Sequence, residues 1–286
     1  MSAQFRTLIS VAELAQNLDQ PDWCVVDCRH DLVNPGFGRT VYAEAHIPGA
    51  VFLSLDDELS GPKTGRNGRH PLPDPAALAT RLGELGIDRR TQVVAYDDAG
   101  GMYAARLWWM FRWLGHDAVA VLDGGYRAWC DAGQPVNPTL RERSPTTFSF
   151  SARAGNAADV VEVLEKLATH AICLIDARSP DRFRGENESL DPVAGHIPGA
   201  RNRFFRDNLD EDGRFRPVDE LRAAFSAIIG KMPPTAVVHQ CGSGVTACHN
   251  LLAMEHAGLV GSRLYPGSWS EWCADPSRPV ATGNDG

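Results

Sequence analysis

Short apolar runs alternate with longer helical patterns along the chain, and this alternation predicts an α/β fold. The runs 93–95 and 236–238 have the length of buried strands, and residues 104–114 and 246–257 follow them with helical spacing. Strands that alternate with helices form parallel sheets with helices on both faces. Ligands usually bind at the carboxyl ends of such strands.

The same order of segments occurs twice, which indicates a duplicated unit. The matching segments, first copy before second, are CVVDCR at 24–29 and CLIDAR at 173–178, AHIPGA at 45–50 and GHIPGA at 195–200, VVAYD at 93–97 and VVHQC at 237–241, and LDGG at 122–125 and LYPG at 264–267. At 286 residues the chain also exceeds the usual size of one domain. We therefore predict an N-terminal domain over residues 1–135, a linker over 136–155 without apolar periodicity, and a C-terminal domain over 156–286.

The strongest candidate for chemistry is Cys241, which follows the predicted strand and precedes the predicted helix. At that point several backbone N–H groups lack intrahelical partners, and the helix dipole adds partial positive charge. Glycines on either side of Ser243 let the loop curl so that the N–H groups face the sulfur. These surroundings favour the thiolate, so we predict that Cys241 is a nucleophile. The loop predicted to hold its sulfur consists of Gly242, Ser243, Gly244, Val245 and Thr246.

The first copy has Asp97 at the position that matches Cys241. A carboxylate has no sulfur atom, so the first copy lacks a nucleophile of this kind and the chemistry is predicted to belong to the C-terminal half. We expect Asp97 and Asp98 to accept hydrogen bonds from amides of their own loop. The N-terminal domain is predicted to cover the site and complete its pocket.

The duplication, the paired HIPGA turns, a cysteine loop in the second copy alone and the ending GSWSEW at 267–272 together resemble the two-domain rhodanese-type sulfurtransferases. The loop CGSGVT at 241–246 is similar to that of the 3-mercaptopyruvate branch, whereas the thiosulfate branch typically reads CRKGVT. The resemblance covers nearly the whole chain. It implies tandem rhodanese-like domains, each a mostly parallel sheet flanked by helices.

The resemblance also implies an activity. Sulfane sulfur would pass from 3-mercaptopyruvate to Cys241 as a persulfide and then to a thiol or cyanide, with release of pyruvate. The implied acceptor is a small thiol or a thioredoxin-like protein, and neither a metal nor an organic cofactor is required. Inward N–H groups suit a charged persulfide by the logic of an oxyanion hole.

Arginines are the candidates for binding the donor carboxylate. By resemblance, Arg182 is the substrate-binding arginine, and Arg184 is a weaker candidate. A second substrate arginine commonly lies nine residues after the first, but Asp191 occupies that position, so Arg184 or Arg201 is expected to replace it. Arg178 has a counterpart in the first copy, which has no nucleophile, and we therefore predict a structural role for it.

Ser243 and three further side chains have roles that the sequence leaves open. Ser243 is predicted to relay a proton to the departing enolate, to be the N-cap of the following helix, or to do both. By resemblance, His46 lies near the substrate and polarises Ser243. His239 either raises the local positive potential or fills the sheet surface. A buried packing role is favoured for Cys248 over that of a resolving thiol.

Four alternative functions differ in how well they fit the sequence. A thiosulfate sulfurtransferase and a persulfide carrier for a protein acceptor both fit the cysteine loop and stay as alternatives. A cysteine phosphatase requires an arginine where this chain has Ala247, so phosphate transfer lacks its main charge partner. A catalytically silent binding module is disfavoured by the intact loop.

Composition and charge restrict the partners and the cellular compartment that we predict for this chain. The net charge of −8 and the absence of a lysine-rich run argue against a nucleic-acid partner. Neither a signal-peptide pattern nor a membrane-spanning apolar stretch is evident, so no membrane partner is expected. Seven cysteines with irregular spacing favour a reducing cytoplasm, with most thiols inert.

Overall fold

The computed structural model describes residues 4–284, which form two α/β units. Unit 1 contains the described residues up to Gly61, together with Leu72–Arg153 and Asp212–Arg214. Unit 2 contains Pro62–Pro71, Ala154–Glu211 and the described residues from Phe215 onward. The predicted duplication is therefore confirmed, but ten residues of the N-terminal half belong to unit 2.

Unit 1 is a parallel sheet with helices. Its strands in the described part of the chain are β1 (Leu8–Ile9), β2 (Trp23–Asp27), β3 (Val51–Phe52), β4 (Gln92–Tyr96) and β5 (Val119–Leu122). Its helices there are α1 (Val11–Asn17), α2 (Phe37–Glu44), α3 (Pro75–Glu84), α4 (Met102–Trp113) and α5 (Gly125–Asp131). The strand order is β1-β5-β4-β2-β3, and neighbouring strands in this order are parallel. Trp108, Trp109 and Trp113 of α4 are buried.

Unit 2 repeats this arrangement. Its strands in the described part of the chain are β6 (Cys173–Asp176), β7 (Arg201–Asn202), β8 (Val237–Gln240) and β9 (Arg263–Leu264). Its α-helices there are α6 (Val160–Ala168), α7 (Pro180–Arg184), α8 (Val218–Ile229), α9 (Thr246–His256) and α10 (Ser268–Trp272). Short 3-10 helices occupy Ala154–Asn156, Phe205–Asn208 and Pro234–Ala236. The parallel order β7-β6-β8-β9 matches β3-β2-β4-β5 of unit 1. An isolated parallel bridge between Ala157 and Leu264 stands where β1 pairs with β5.

Local sequence explains why these elements form. All residues of β2, β4, β6 and β8 are buried, as expected of central parallel strands covered on both faces. Helix α1 begins with a capping box between Ser10 and Glu13. Asp74 caps α3 and Asp159 caps α6 through the same side-chain acceptance of a backbone N–H.

The predicted linker lies against unit 1 for most of its length. Thr146 N–H donates to Gly83 O at 2.8 Å, and Ser151 N–H donates to Leu114 O at 3.0 Å. Phe148 is buried. These contacts assign residues up to Arg153 to unit 1, because a stretch without apolar periodicity can still satisfy its backbone groups on a neighbouring surface.

A buried aspartate–arginine pair follows the first central strand of each unit. In unit 1, Arg29 Nη2 lies 2.6 Å from Asp27 Oδ2 and also donates to Ala45 O at 2.7 Å. In unit 2, Arg178 Nη2 donates to its aspartate at 2.7 Å and to Gly195 O at 2.7 Å. The pairs tie the strand to the HIPGA turn, which agrees with the structural role predicted for Arg178.

Removing one member of such a pair should destabilise the protein. We expect Arg29→Ala to lower the free energy of unfolding by about 3–5 kcal/mol, because Asp27 would be left as a buried, uncompensated charge. The matched control is Arg127→Ala, which removes an exposed ion pair with Asp131 and should cost no more than about 0.5 kcal/mol. Urea unfolding followed by circular dichroism measures both variants. Equal losses would contradict the role assigned to Arg29.

Candidate functional site

Cys241 lies between the end of β8 and the start of α9, as predicted. Its side chain is almost fully buried, with the residue 2% exposed. The residues at the start of α10 fix its backbone: Cys241 N–H donates to Ser268 Oγ at 3.2 Å, and Trp269 N–H donates to Cys241 O at 3.0 Å. The sulfur is therefore held at the carboxyl edge of the unit 2 sheet, where ligands bind in this class of fold.

The loop after Cys241 directs a backbone donor at the sulfur. Gly244 N–H donates to Cys241 Sγ at 3.1 Å. Gly244 has a φ of +76°, and a Cβ atom there would lie 2.4 Å from Pro266 O. Both its conformation and its close approach to a carbonyl thus require glycine. One N–H group of the predicted loop thus contacts the sulfur, and the role of the loop in holding a persulfide stays a prediction.

The equivalent loop of unit 1 holds a carboxylate in the same manner. Asp97 is fully buried, and its oxygens accept hydrogen bonds at 2.8 to 2.9 Å from four backbone N–H groups, those of Ala99, Gly101, Tyr103 and Ala104. Burial raises the pKa of Asp97, and these N–H groups oppose that shift by stabilising the charged form. The prediction that Asp97 binds the amides of its own loop is confirmed.

Ser243 contacts a histidine that the sequence did not single out. Its Oγ lies 2.8 Å from Nδ1 of His70, and both residues are buried. The prediction that Ser243 is a helix N-cap is wrong, because Val245 occupies that position and makes no side-chain cap. Ser243 instead forms a polar pair with His70. Ser243 itself lies two residues after Cys241, the predicted nucleophile.

The histidine contact expected of His46 is made by His70. His46 belongs to unit 1, where its ring nitrogens lie 2.7 Å from Tyr42 O and 3.2 Å from Thr139 O. Its ring stacks on that of Tyr42. These contacts resemble those of His196, whose Nδ1 lies 2.8 Å from Phe183 O. A role for His46 in substrate binding stays a prediction.

Two guanidinium groups lie beside Gly242. A Cβ atom on Gly242 would lie 2.8 Å from Nη2 of Arg69 and 3.6 Å from Nη2 of Arg182. Arg182 Nη2 donates to Glu188 Oε1 at 2.8 Å and lies 3.4 Å from Asp191 Oδ2. The other Asp191 oxygen accepts from Nη1 of Arg69. Asp191 therefore bridges the two arginines.

The two carboxyl groups of this cluster are shifted in opposite directions. Burial raises the pKa of Glu188, but hydrogen bonds from Arg182 and nearby backbone N–H groups outweigh it, so the pKa is lowered overall. Burial raises the pKa of Asp191, and attraction to Arg69 and Arg182 opposes this only in part. Glu188 is thus a firm anionic partner for Arg182, whereas the charge on Asp191 depends on the two arginines beside it.

Arg184 and Arg201, the two predicted substitutes for the second substrate arginine, each pair with another group of the protein. Arg184 pairs with Glu186, with 2.7 Å between Nη2 and Oε2, and Arg201 Nη1 donates to Ile228 O. The arginine that lies with Arg182 beside Gly242 is Arg69. A substrate-binding role for Arg184 or Arg201 stays a prediction.

Comparison with known proteins identifies the family. A model of the rhodanese-like domain matches residues 10–132 and 157–275. The chain belongs to the rhodanese-like family. A probable 3-mercaptopyruvate sulfurtransferase of Pseudomonas aeruginosa is 49% identical over 97% of this chain and 98% of the relative. A thiosulfate sulfurtransferase of Bos taurus is 35% identical over 99% and 97% of the two chains.

Solved structures agree with this assignment. The fold is similar to that of SseA from Escherichia coli, a 3-mercaptopyruvate sulfotransferase, with a TM-score of 0.80, 30% identity and coverage of 93% of this chain and 99% of that chain. A 3-mercaptopyruvate sulfurtransferase from Leishmania major gives a TM-score of 0.83 at 32% identity, covering 93% and 74%. Tandem rhodanese-like domains, as predicted, are thereby established.

Burial decides between the alternative roles of two other side chains in unit 2, His239 and Cys248. Burial lowers the pKa of His239 to about 3, so its ring is neutral, and its Nε2 lies 3.2 Å from Met254 Sδ. The alternative that His239 raises the positive potential is wrong. Cys248 is buried with Sγ 3.4 Å from Gly244 O, which fits the packing role.

Sequence reasoning missed Arg69 and His70. Both lie in the segment Pro62–Pro71, which interrupts unit 1 in sequence and belongs to unit 2 in space. The available signal was a basic pair in a glycine-rich polar stretch between two apolar runs.

Among residues 4–284, no group of three or more His, Cys, Asp or Glu side chains is arranged to hold a metal ion. No helix within the same residues has the length and apolar character needed to cross a membrane.

The close approach of Gly244 to Pro266 predicts a specific cost. We expect Gly244→Ala to lower the free energy of unfolding by about 2 kcal/mol more than Gly65→Ala does, because both residues have positive φ but only Gly244 meets backbone within 4 Å. Gly65 lies in the same unit with a φ of +82° and no atom within 4 Å of the added Cβ. Equilibrium urea unfolding gives the comparison. Equal losses for the two variants would show that the contact with Pro266 is unimportant.

Proposed function

We propose that this rhodanese-like protein transfers sulfur from 3-mercaptopyruvate, through a persulfide on Cys241, to a thiol or cyanide. The observation that carries the proposal is the Cys241 sulfur held against Gly244 N–H, at 3.1 Å, in a loop whose next two residues are uncharged. The names of the relatives in Pseudomonas aeruginosa and Leishmania major support the same donor.

The first half-reaction moves one sulfur atom. The Cys241 thiolate attacks the thiol sulfur of 3-mercaptopyruvate and forms the S–S bond. The C–S bond of the donor breaks, and its electron pair remains on carbon as the enolate of pyruvate. The proton of the donor thiol passes to that carbon, which releases pyruvate and leaves the persulfide with the negative charge on its terminal sulfur. Gly244 N–H and the positive end of α9 lie where this charge develops.

The second half-reaction regenerates the enzyme. The sulfur of an acceptor thiolate, or the carbon of cyanide, attacks the terminal sulfur of the persulfide. The S–S bond breaks, and its electron pair returns to Cys241 as the thiolate. We propose a small thiol or a thioredoxin-like protein as the acceptor. The seven cysteines are all free thiols, which supports a reducing compartment, and we propose the cytoplasm.

We propose that Arg182 binds the donor carboxylate. Its guanidinium lies beside Gly242, and Glu188 holds it with hydrogen bonds at 2.8 and 2.9 Å. A guanidinium is a planar, permanently charged group that suits a carboxylate. Glu188 also contacts Arg178 at 3.4 Å, so the substrate arginine is fixed to the buried core of unit 2.

Ser243 and His70 are placed to move the proton that the enolate needs. The 2.8 Å distance between Ser243 Oγ and His70 Nδ1 permits the hydroxyl to give up its proton to the donor carbon and be reprotonated through the imidazole. The geometry therefore favours the proton-relay role over the capping role for Ser243.

Thiosulfate is the second candidate donor. The Bos taurus relative and a putative thiosulfate sulfurtransferase of Mycobacterium tuberculosis, 39% identical over 99% of both chains, are named for it. Two guanidinium groups beside Gly242 would also attract a dianion. A persulfide carrier for a protein acceptor shares the first half-reaction and differs only in the second.

Donor assays test the proposed activity. We expect kcat/KM to be higher for 3-mercaptopyruvate, followed by pyruvate release, than for thiosulfate, followed by thiocyanate release in the presence of cyanide. Cys241→Ser should abolish both activities and the mass gain of one sulfur atom after exposure to donor. Cys130→Ser, at an exposed thiol of unit 1, is the control and should retain them. A preference for thiosulfate would reverse the donor assignment, and activity in Cys241→Ser would exclude the persulfide.

If Ser243 relays the proton, Ser243→Ala should lower turnover much more with 3-mercaptopyruvate than with thiosulfate. We expect kcat with 3-mercaptopyruvate to fall roughly 10²- to 10⁴-fold, the range typical of general acid–base catalysis. Thiosulfate turnover should fall far less, because the departing sulfite is a stable anion that needs no proton on carbon. Steady-state kinetics with both donors on the same preparation give the comparison. Equal losses would mean that Ser243 shapes the loop and does not relay a proton.

A further inference from the structure

Unit 2 contains a cavity at the end of its sheet opposite to Cys241. The cavity has a volume of about 460 Å³, and Cys173, Pro198 and Trp272 are among the residues that line it. Cys173 begins β6 and pairs in register with Val237, the first residue of β8, whereas Cys241 follows the last residue of that strand. At a strand rise of about 3.3 Å per residue, about 13 Å separates Val237 from the nucleophile. The cavity is therefore distinct from the proposed donor site.

The walls of the cavity combine apolar side chains with two polar groups. Leu164 and Leu167 of α6 belong to the apolar part. The polar groups are the guanidinium of Arg201 and the imidazole of His170, and no carboxylate lines the cavity among residues 4–284. Within the same residues Arg201 forms no ion pair, and its Nη1 donates to Ile228 O. An apolar cavity of this size with a few convergent polar groups is typical of a small-molecule site.

His170 occupies a backbone position that favours glycine. Its φ is +53°, and it directly follows Thr169, the C-cap of α6. Glycine is usual at this position after a helix, because a Cβ atom makes the left-handed conformation unfavourable. The fold thus keeps a strained residue whose imidazole lines the cavity.

The equivalent surface of unit 1 is covered by the linker. Gly49 and Gly199 are matching glycines of the two HIPGA turns. A Cβ on Gly49 would lie 3.2 Å from Cδ of Arg141, a linker residue. A Cβ on Gly199, apart from its chain neighbours, would meet Leu167 alone among residues 4–284, at 3.7 Å. The surface that the chain itself covers in unit 1 is therefore a cavity in unit 2.

The positive charge at this surface has a different origin in the two units. Burial raises the pKa of the Cys24 thiol to about 11, and the charge of Arg143, in the covering linker, opposes that shift. Burial also raises the pKa of the matching Cys173 thiol, but there the opposing charge is that of Arg201, in the cavity wall. Val51 stands in unit 1 where unit 2 has Arg201. Because the cation of unit 2 belongs to the wall, a complementary occupant carries the negative charge.

We propose that this cavity binds a small amphipathic carboxylate, with the carboxylate on Arg201 and the apolar body against Leu167 and Trp272. The imidazole of His170 is a further hydrogen-bond partner at the wall. The proposal places Arg201 in a site other than that of the sulfur donor. It goes beyond the proposed function and does not depend on it.

Octanoate and octanamide are matched probes for the site, because they share an apolar chain and differ in charge. In isothermal titration calorimetry we expect the wild-type protein to bind octanoate more tightly than octanamide. Arg201→Gln should weaken octanoate binding roughly 10- to 100-fold, the loss typical of a charge-assisted hydrogen bond, and leave octanamide binding nearly unchanged. Absence of octanoate binding at millimolar concentration would overturn the proposal. Equal effects of Arg201→Gln on the two probes would overturn the role of its charge.

Arg182→Gln is the matched control, because it removes a guanidinium from the proposed donor site of the same unit. We expect it to leave the affinity for octanoate unchanged. A loss in Arg182→Gln without a loss in Arg201→Gln would show that octanoate binds beside Cys241, and this would contradict the assignment to the cavity.

Filling the cavity tests its position independently of charge. Ala168 lines the cavity at the end of α6, so Ala168→Trp places a large side chain on its wall. We expect this variant to weaken the binding of both probes, with urea unfolding of the same preparation confirming that it is folded. Unchanged affinity for both probes in the folded variant would mean that they bind elsewhere.

Discussion

A residue placed between the end of a parallel strand and the start of a helix meets backbone N–H groups that have no helical partner, and both units are built around this constraint. In unit 1, four such groups hold the Asp97 carboxylate. In unit 2, Gly244 N–H meets the sulfur of Cys241. The same backbone arrangement therefore holds a carboxylate in one copy and the thiol proposed as the nucleophile in the other.

A chain of charged groups connects the core of unit 2 to the proposed donor site. Asp176 is fully buried and binds Arg178, which in turn contacts Glu188. Glu188 holds Arg182 beside Gly242. Each buried charge in this series has an opposite partner, which offsets the cost of taking it out of water. The guanidinium of Arg182, the outermost group of the series, is therefore held in position by the protein itself and not by a bound donor.

Much of this arrangement follows from local pattern. The repeat predicted the matching strand orders, the placement of Cys241 and Asp97, and the structural role of Arg178, because each depends on residues close together in the chain. Errors arose where a side chain's partner was distant. Ser243 could be assigned as an N-cap because serine often caps helices, but its contact with His70 spans 173 positions. Arg69 was missed for the same reason, because it reaches Gly242 from a distant part of the chain.

The sequence alone determined that the chain folds as two related α/β units and that only the second has a thiol at the strand–helix junction, since apolar periodicity and a strand-end residue are local properties. The tertiary structure decided which residues surround that thiol. It brought Pro62–Pro71 into unit 2 and set Arg69 against Asp191 across 122 positions. No local pattern specifies such a pairing, because it depends on how a polar segment satisfies its hydrogen bonds on a surface that exists only after folding.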